Sequence, residues 1–267
     1  MTSCEVIFIG GNPQRHASVR IRAVEIAEAL NCRCSLGANW AHDIPEARAF
    51  VCVKPLFWPG QLAELGKRGK IIWDVVDNLP PREGVDVYLT SSGFARDLLR
   101  EYGRTAMIPH RHRNFSGEPN HQGIRRPCWI GSAYWRPALP GLDHDAYFTD
   151  HMTAQQVAEA HRRTGIGLNF RKPAASHDIH AALNSGIKLI NCIGYGIPSV
   201  SADEPAYREF GAHCTIFAEL EDCAKWVREL QNNDSLFNDL RQKCIERASL
   251  FHINTIAEHY RQFFGTL

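Results

Sequence analysis

The feature that most narrows what this chain can fold into is an alternation of two textures. Short apolar runs bounded by glycine, proline or serine recur between segments whose apolar residues fall three and four apart. Such an alternation builds a parallel sheet wound on both faces by helices. Strands are expected at Cys4–Ile9, Ala49–Val53, Lys70–Val76, Val85–Thr90 and Thr105–Ile108, with helices at Ser18–Leu30, Gly60–Gly66 and Ser92–Tyr102 between them. Ser18 is the expected N-cap of the first helix.

A second series begins after residue 127. Strands are expected at Cys128–Gly131, Ile166–Phe170, from Ser199 onward and at His213–Phe217; helices at Thr153–Thr164, Glu204–Phe210, Leu220–Gln231, Ser235–Ser249 and Ile253–Phe264. No complete strand–helix–strand unit is legible between Gly131 and Ile166. Between the two series runs a basic stretch from His110 to Arg126, with four arginines and three histidines against Glu118. It lacks apolar periodicity and carries Gly, Pro and Asn, so it reads as a linker, either a solvated basic loop or one whose cations face an anionic ligand. The expected class is therefore α/β, with two Rossmann-like domains whose parallel sheets face a central cleft. The boundaries are 1–115 for the first domain, 116–126 for the linker, 127–250 for the second domain and 251–267 for a C-terminal helix that could pack back on the first.

One stretch stands out within the second series. Ile187, Ile190 and Ile193 share one helical face, Gly194 and Gly196 offer a helix stop by positive φ, Pro198 cannot continue a helix, and Ser199-Val200-Ser201 opens a buried strand. Lys188 lies in the first turn, where an ammonium and helix-terminal amides together can hold a phosphate.

Composition limits the alternatives. A chain of 267 residues, 44% hydrophobic and 22% charged, can bury one large core or two modest ones. Its formal charge of +1 provides no global attraction to nucleic acid or membrane, so any such attraction is local. The N-terminus has no basic region, and Val6–Ile9 is too short for a signal or a span, so no transmembrane segment is expected and the cytoplasm is the expected compartment. Nine cysteines, an odd number scattered through apolar segments, fit reduced buried thiols; Cys32 and Cys34 lack the two-residue gap of zinc or thioredoxin motifs, would share one face if the segment were a strand, and read as structural. The loop Gly10-Gly11 is not a three-glycine dinucleotide fingerprint. His177 and His180 share a helical face but lack a third ligand, so no metal is expected.

Three segments give the chain a resemblance. Ile71-Ile72-Trp73-Asp74-Val75-Val76-Asp77-Asn78 resembles the hydrophobic strand with paired aspartates found in the first domain of GT-B glycosyltransferases of the bacterial group 1 type. Val87 to Leu99, continuing to Ile108-Pro109-His110, is similar to that family's segment at the domain end. Lys188 to Val200 resembles its K-L-x-E-x-x-A-x-G-x-P-V-V block, followed by Tyr207-Arg208-Glu209 at its later acidic position.

The resemblance implies transfer of a sugar from a nucleotide-diphosphate sugar to an acceptor hydroxyl, with that donor as substrate and no permanently bound cofactor. A saccharide or lipid-linked saccharide is the first acceptor implied, a modified nucleic-acid base a second. A sugar-nucleotide epimerase of the same fold and a non-catalytic nucleotide-sugar-binding partner of a larger synthase stay open. Leaving-group charge needs cations. Lys188 is the first choice, with Arg171 or Lys172 and Arg136 beside it; Arg171 and Lys172 follow a strand and so belong at the sheet's carboxyl edge. Gly131 falls where the family brings backbone to the phosphates, Glu209 at its acidic position, and Gly194 within its glycine turn. Two glutamates of the retaining subset are replaced here by Leu183 and Asn191. On the acceptor side the resemblance points to Gly10, Gly11, His16, Arg20 and His110, with Arg22 beside them. Asp74 and Asp77 stand at a strand end, where a carboxylate can act as base or cap a turn; Asp77 is the catalytic candidate.

Overall fold

Strand-forming runs whose residues are all apolar need cover on both faces, and that demand organises the fold. A computed structural model of the chain describes residues 6–14, 16–37, 44–56, 60–76, 79–120, 125–172 and 183–267. These fall into two compact units, one comprising Met1–His110, Asp178–Ser185 and Ile256–Leu267, the other Arg111–His177 and Gly186–Thr255.

The first unit is a six-stranded parallel sheet. Its strands are β1 (Val6–Gly10), β2 (Arg33–Leu36), β3 (Ala49–Val53), β4 (Lys70–Asp74), β5 (Val87–Thr90) and β6 (Thr105–Met107), in the order β2-β1-β3-β4-β5-β6. Every residue of β1 and β3 is buried, as central strands require. Ile7, Ile9, Phe50, Cys52, Leu65 and Ile71 form one side of its core, and Val75, Tyr88, Ala95, Leu99 and Leu183 form a second cluster. The end of the chain completes it, with Phe8 lying 5.9 Å from the Tyr260 ring and 6.3 Å from that of Phe264.

The second unit is a five-stranded parallel sheet of β7 (Pro127–Gly131), β8 (Asp145–Phe148), β9 (Ile166–Asn169), β10 (Ser199–Ser201) and β11 (Thr215–Phe217), in the order β11-β10-β9-β7-β8. The helix Ile187–Gly194 buries Leu189, Ile190 and Ile193 against Tyr207, Phe210, Cys244 and Phe251. Thr153 and Gln156 close a reciprocal cap on the helix Ala154–Arg163.

The expected α/β class with parallel sheets holds, and two strands escaped the sequence reading. β2 and β8 are edge strands, half-exposed and built from Arg-Cys-Ser-Leu and Asp-Ala-Tyr-Phe, so neither presents an apolar run. The first helix starts at Ala17 with His16 as its N-cap, rather than at Ser18. It also contains a π-helical turn at Arg20–Val24. Gly196 takes the expected positive φ, +65°, whereas Gly194 stays helical. Among the described residues all eight cysteines are free and no helix is long and apolar enough to cross a membrane.

Candidate active site

Ligands of open parallel sheets bind outside the carboxyl ends of the strands where the winding reverses. In the second unit the chain runs outward from β7 to β8, then returns past β7 to β9 and continues to β10 and β11. The reversal lies between β7 and β9. Gly131 ends β7, and Phe170 and Arg171 follow β9.

Side chains converge there for identifiable reasons. A Cβ at position 131 would lie 2.9 Å from Lys188 Nζ and 2.9 Å from ring carbons of Trp129, so only glycine leaves the ammonium its place. Trp129 is 0% exposed and its indole N–H donates to the Phe170 carbonyl at 3.0 Å, which fixes the ring. Lys188 Nζ sits 4.2 Å from the ring centroid and donates to the same carbonyl at 3.4 Å. Gly186, at φ +65°, turns the chain into the helix that carries Lys188. Burial, and then the charge of Arg171, lower the Lys188 ammonium to about 7, against opposing contributions from Glu204 and Cys192. Arg171 is ion-paired with Glu204 at 3.6 Å. Two cations, one half-buried and poised near neutrality, thus face the carboxyl edge of the sheet. That arrangement suits a ligand with two or more negative charges.

Other expected residues lie around this cluster or elsewhere. Lys172 is exposed, and its backbone N–H donates to the Trp135 carbonyl at 2.9 Å, tying it to the loop that carries Arg136. The exposed Arg136 guanidinium lies 5.5 Å from the Phe148 ring centroid. Glu209 is half-buried in the helix Pro205–Gly211, while Glu204, just before that helix, holds Arg171. Asn191 is buried, and its Oδ1 accepts the Arg113 backbone N–H at 2.8 Å. Gly194 leaves room for the His112 ring, which a Cβ would meet at 2.3 Å, and its carbonyl accepts from Asn114 Nδ2 at 2.7 Å. Leu183, at the first glutamate position of the resembling enzymes, is core of the first unit.

The solvated-loop reading of the basic stretch is overturned at its start. Arg111, His112, Arg113 and Asn114 are each 5% exposed or less. Asn191, Gly194 and the Tyr195 hydroxyl, which donates to the Arg113 carbonyl at 3.0 Å, hold that segment by its backbone and by Asn114. Burial and the neighbouring Arg113 lower the Arg111 guanidinium to about 10.

In the first unit Gly10 and Gly11 have a packing requirement of their own. A Cβ on Gly10 would meet Val19 at 2.6 Å, and one on Gly11 the Lys54 carbonyl oxygen at 2.4 Å. His16 and Arg20 are half-buried near that loop, and His110 is buried. Arg22 is neither a solvated helix residue nor free for an anionic acceptor. At 2% exposure its Nε donates to both carboxylate oxygens of Asp74, at 2.8 and 2.6 Å, and its Nη1 to the Ile108 carbonyl. Asp74 is thereby a buried ion-pair partner rather than a candidate base. Asp77, His177 and His180 lie outside the described residues, among which no group of His, Cys, Asp and Glu is arranged to hold a metal.

Sequence reasoning passed over Trp129 and Glu204. A tryptophan two residues before the glycine that ends a strand was the available signal for the first. Glu204 pairs across 33 positions with Arg171, and no local pattern encodes such a contact.

Comparisons with known proteins bear on the fold and the family. A family model described as "Glycosyl transferase-like" matches residues 96–262, more than half of the chain. No curated protein matches the sequence. Among solved structures, HepE of Anabaena in complex with UDP and glucose superposes with a TM-score of 0.68 at 9% identity, over 99% of this chain and 100% of that one. A glycosyltransferase of Rickettsia africae gives 0.66 at 10% identity, over 97% and 98%. An alpha-glucosyltransferase in complex with UDP and a 13-mer DNA containing an HMU base gives 0.59 at 11% identity, over 98% and 99%. The fold is that of GT-B enzymes, and the chain belongs to the glycosyl transferase-like family.

Proposed function

We propose that the second unit binds a uridine diphosphate sugar and that Lys188 and Arg171 stabilise the diphosphate as the sugar leaves for an acceptor hydroxyl. The supporting observation is the Lys188 ammonium held against Gly131 at the sheet's reversal point, beside the Arg171 guanidinium. When the glycosidic bond breaks, its electron pair stays on the diphosphate oxygen, and cations already in place lower the energy of that charge without reorganisation. Lys172 and Arg136 are assigned to the outer phosphate and sugar, with Gly131 at the backbone approach and Asn191, Gly194 and Glu209 on the donor side. UDP is the favoured nucleotide because HepE and the DNA-bound glucosyltransferase were both solved with it.

The first unit is assigned the acceptor, through Gly10, Gly11, His16, Arg20 and His110, and Asp77 the role of base or hydroxyl ligand. A saccharide or lipid-linked saccharide is the acceptor favoured by a chain with a net charge of only +1. Domain boundaries at 1–115, 116–126, 127–250 and 251–267 remain part of the proposal, as does a cytoplasmic location.

Thermal-shift measurement against UDP, GDP, ADP and CMP tests the donor assignment. A ligand at a hundred times its dissociation constant stabilises by about 2.7 kcal/mol, so UDP is expected to raise the midpoint and the others to do so less. Incubation with UDP-sugars in the absence of acceptor then separates the chemistries: accumulation of an epimer would replace transfer with isomerisation.

A further inference from the structure

We infer that Glu204 is an internal counter-anion of the diphosphate site, holding Arg171 in the empty protein and yielding it to the nucleotide; this rests on the donor reading above. The residue stands immediately before Pro205, which opens the next helix, yet its side chain makes no cap to that helix. It reaches back to the guanidinium at the end of β9 instead, with Oε2 at 3.6 Å from Arg171 Nη2. Both side chains are largely out of water, at 15% and 21% exposure, so their charges are weakly screened. The adjacent acid, Asp203, is taken by Arg208 on the exposed side, which leaves the site a single carboxylate from this turn.

The separation of 3.6 Å is longer than a good charge-assisted hydrogen bond. Among the described residues the groups that act on the Lys188 charge are Arg171, which disfavours the ammonium, and Glu204 and Cys192, which favour it. With Lys188 charged, Lys188, Arg171 and Glu204 together carry one net positive charge. A diphosphate adds at least two negative charges to the same place, and the Glu204 carboxylate opposes it. Glu204 therefore offsets part of the charge of Arg171 and Lys188 in the nucleotide-free protein, at a cost in nucleotide affinity.

UDP binding by isothermal titration to the wild-type chain, Glu204→Gln and Glu204→Asp tests this at pH 6 and pH 8. At pH 6 the glutamine variant is expected to bind UDP roughly five- to tenfold more tightly, the size of one weakly screened unit charge removed, and the aspartate variant close to wild type. Without the carboxylate Lys188 loses a group that favours its charge, so the advantage of the glutamine variant is expected to shrink by pH 8. A purely structural Glu204 would alter the melting midpoint without this dependence on pH. Equal or weaker UDP binding by Glu204→Gln at pH 6, with wild type binding normally, overturns the inference alone. Failure of the wild type to bind UDP overturns the donor reading and this inference with it. Should Glu204→Gln not fold, the chain carrying Arg171→Gln serves: Glu204 then only repels UDP, and Arg171→Gln with Glu204→Asp is expected to bind no more tightly than Arg171→Gln alone, while removing the charge with Glu204→Ala restores part of the loss. No restoration refutes the role.

Discussion

At Gly131 the absence of one methyl group decides where an ammonium can sit. Adding it in Gly131→Ala would place a carbon 2.9 Å from Lys188 Nζ and from the immobile Trp129 ring, and the flexible partner must give way. UDP affinity is expected to fall about tenfold, as it would on losing one charged hydrogen bond of ~1.5 kcal/mol, with Lys188→Ala losing as much or more; titration calorimetry reads both. Lys188 also couples binding to pH with two opposite signs. Its native-state value, about 7, lies below that of an ordinary lysine, so between those values the unfolded chain binds more protons and this group makes the empty protein more stable as pH rises. Nucleotide binding needs the ammonium, so UDP affinity is expected to decline above about pH 7 over the same range. Melting curves with and without UDP from pH 6 to 9 should therefore converge.

At the scale of elements, the π-helical turn Arg20–Val24 coincides with the burial of Arg22, whose guanidinium meets Asp74 at the end of β4. Tyr260 Oη also donates to that carboxylate, at 3.4 Å. Breaking one side of a buried pair leaves the other charge stranded, so Asp74→Asn is expected to cost about 3–5 kcal/mol in urea unfolding and Tyr260→Phe only ~1 kcal/mol. The helix Ile187–Gly194 holds residues 111–114 through Asn191 and Gly194, and Gly194→Ala is expected to cost about 1–3 kcal/mol or more by forcing a carbon into the His112 ring.

These elements also explain what the sequence made legible. β3 was readable residue for residue, because Ala-Phe-Val-Cys-Val is buried throughout; β2 and β8 were not, because an edge strand with one wet face carries no apolar run. Lys188 and Gly131 were legible through a motif resemblance. The fate of Arg22, Asp74, Glu204 and the residues from Arg111 to Asn114 was not, since each is settled by a partner far along the chain.

At the scale of the whole molecule, each unit carries a separate part of the proposed task. UDP is expected to protect the second unit, including residues 127–172 and 186–232, from hydrogen exchange more than the first, a difference measurable by mass spectrometry. The first unit, for its part, is not contiguous in sequence. Phe8 on β1 packs on Tyr260 and Phe264, and Asp74 on β4 receives the Tyr260 hydroxyl. A chain cut after Thr255 is expected to leave the first unit open to proteolysis.

During synthesis on the ribosome that arrangement reverses the usual order of maturation. The unit whose strands emerge first must wait, its Phe8 without the Tyr260 and Phe264 rings and its Asp74 without the Tyr260 hydroxyl, until residue 264 has cleared the exit tunnel, by which time all of the second unit has been made.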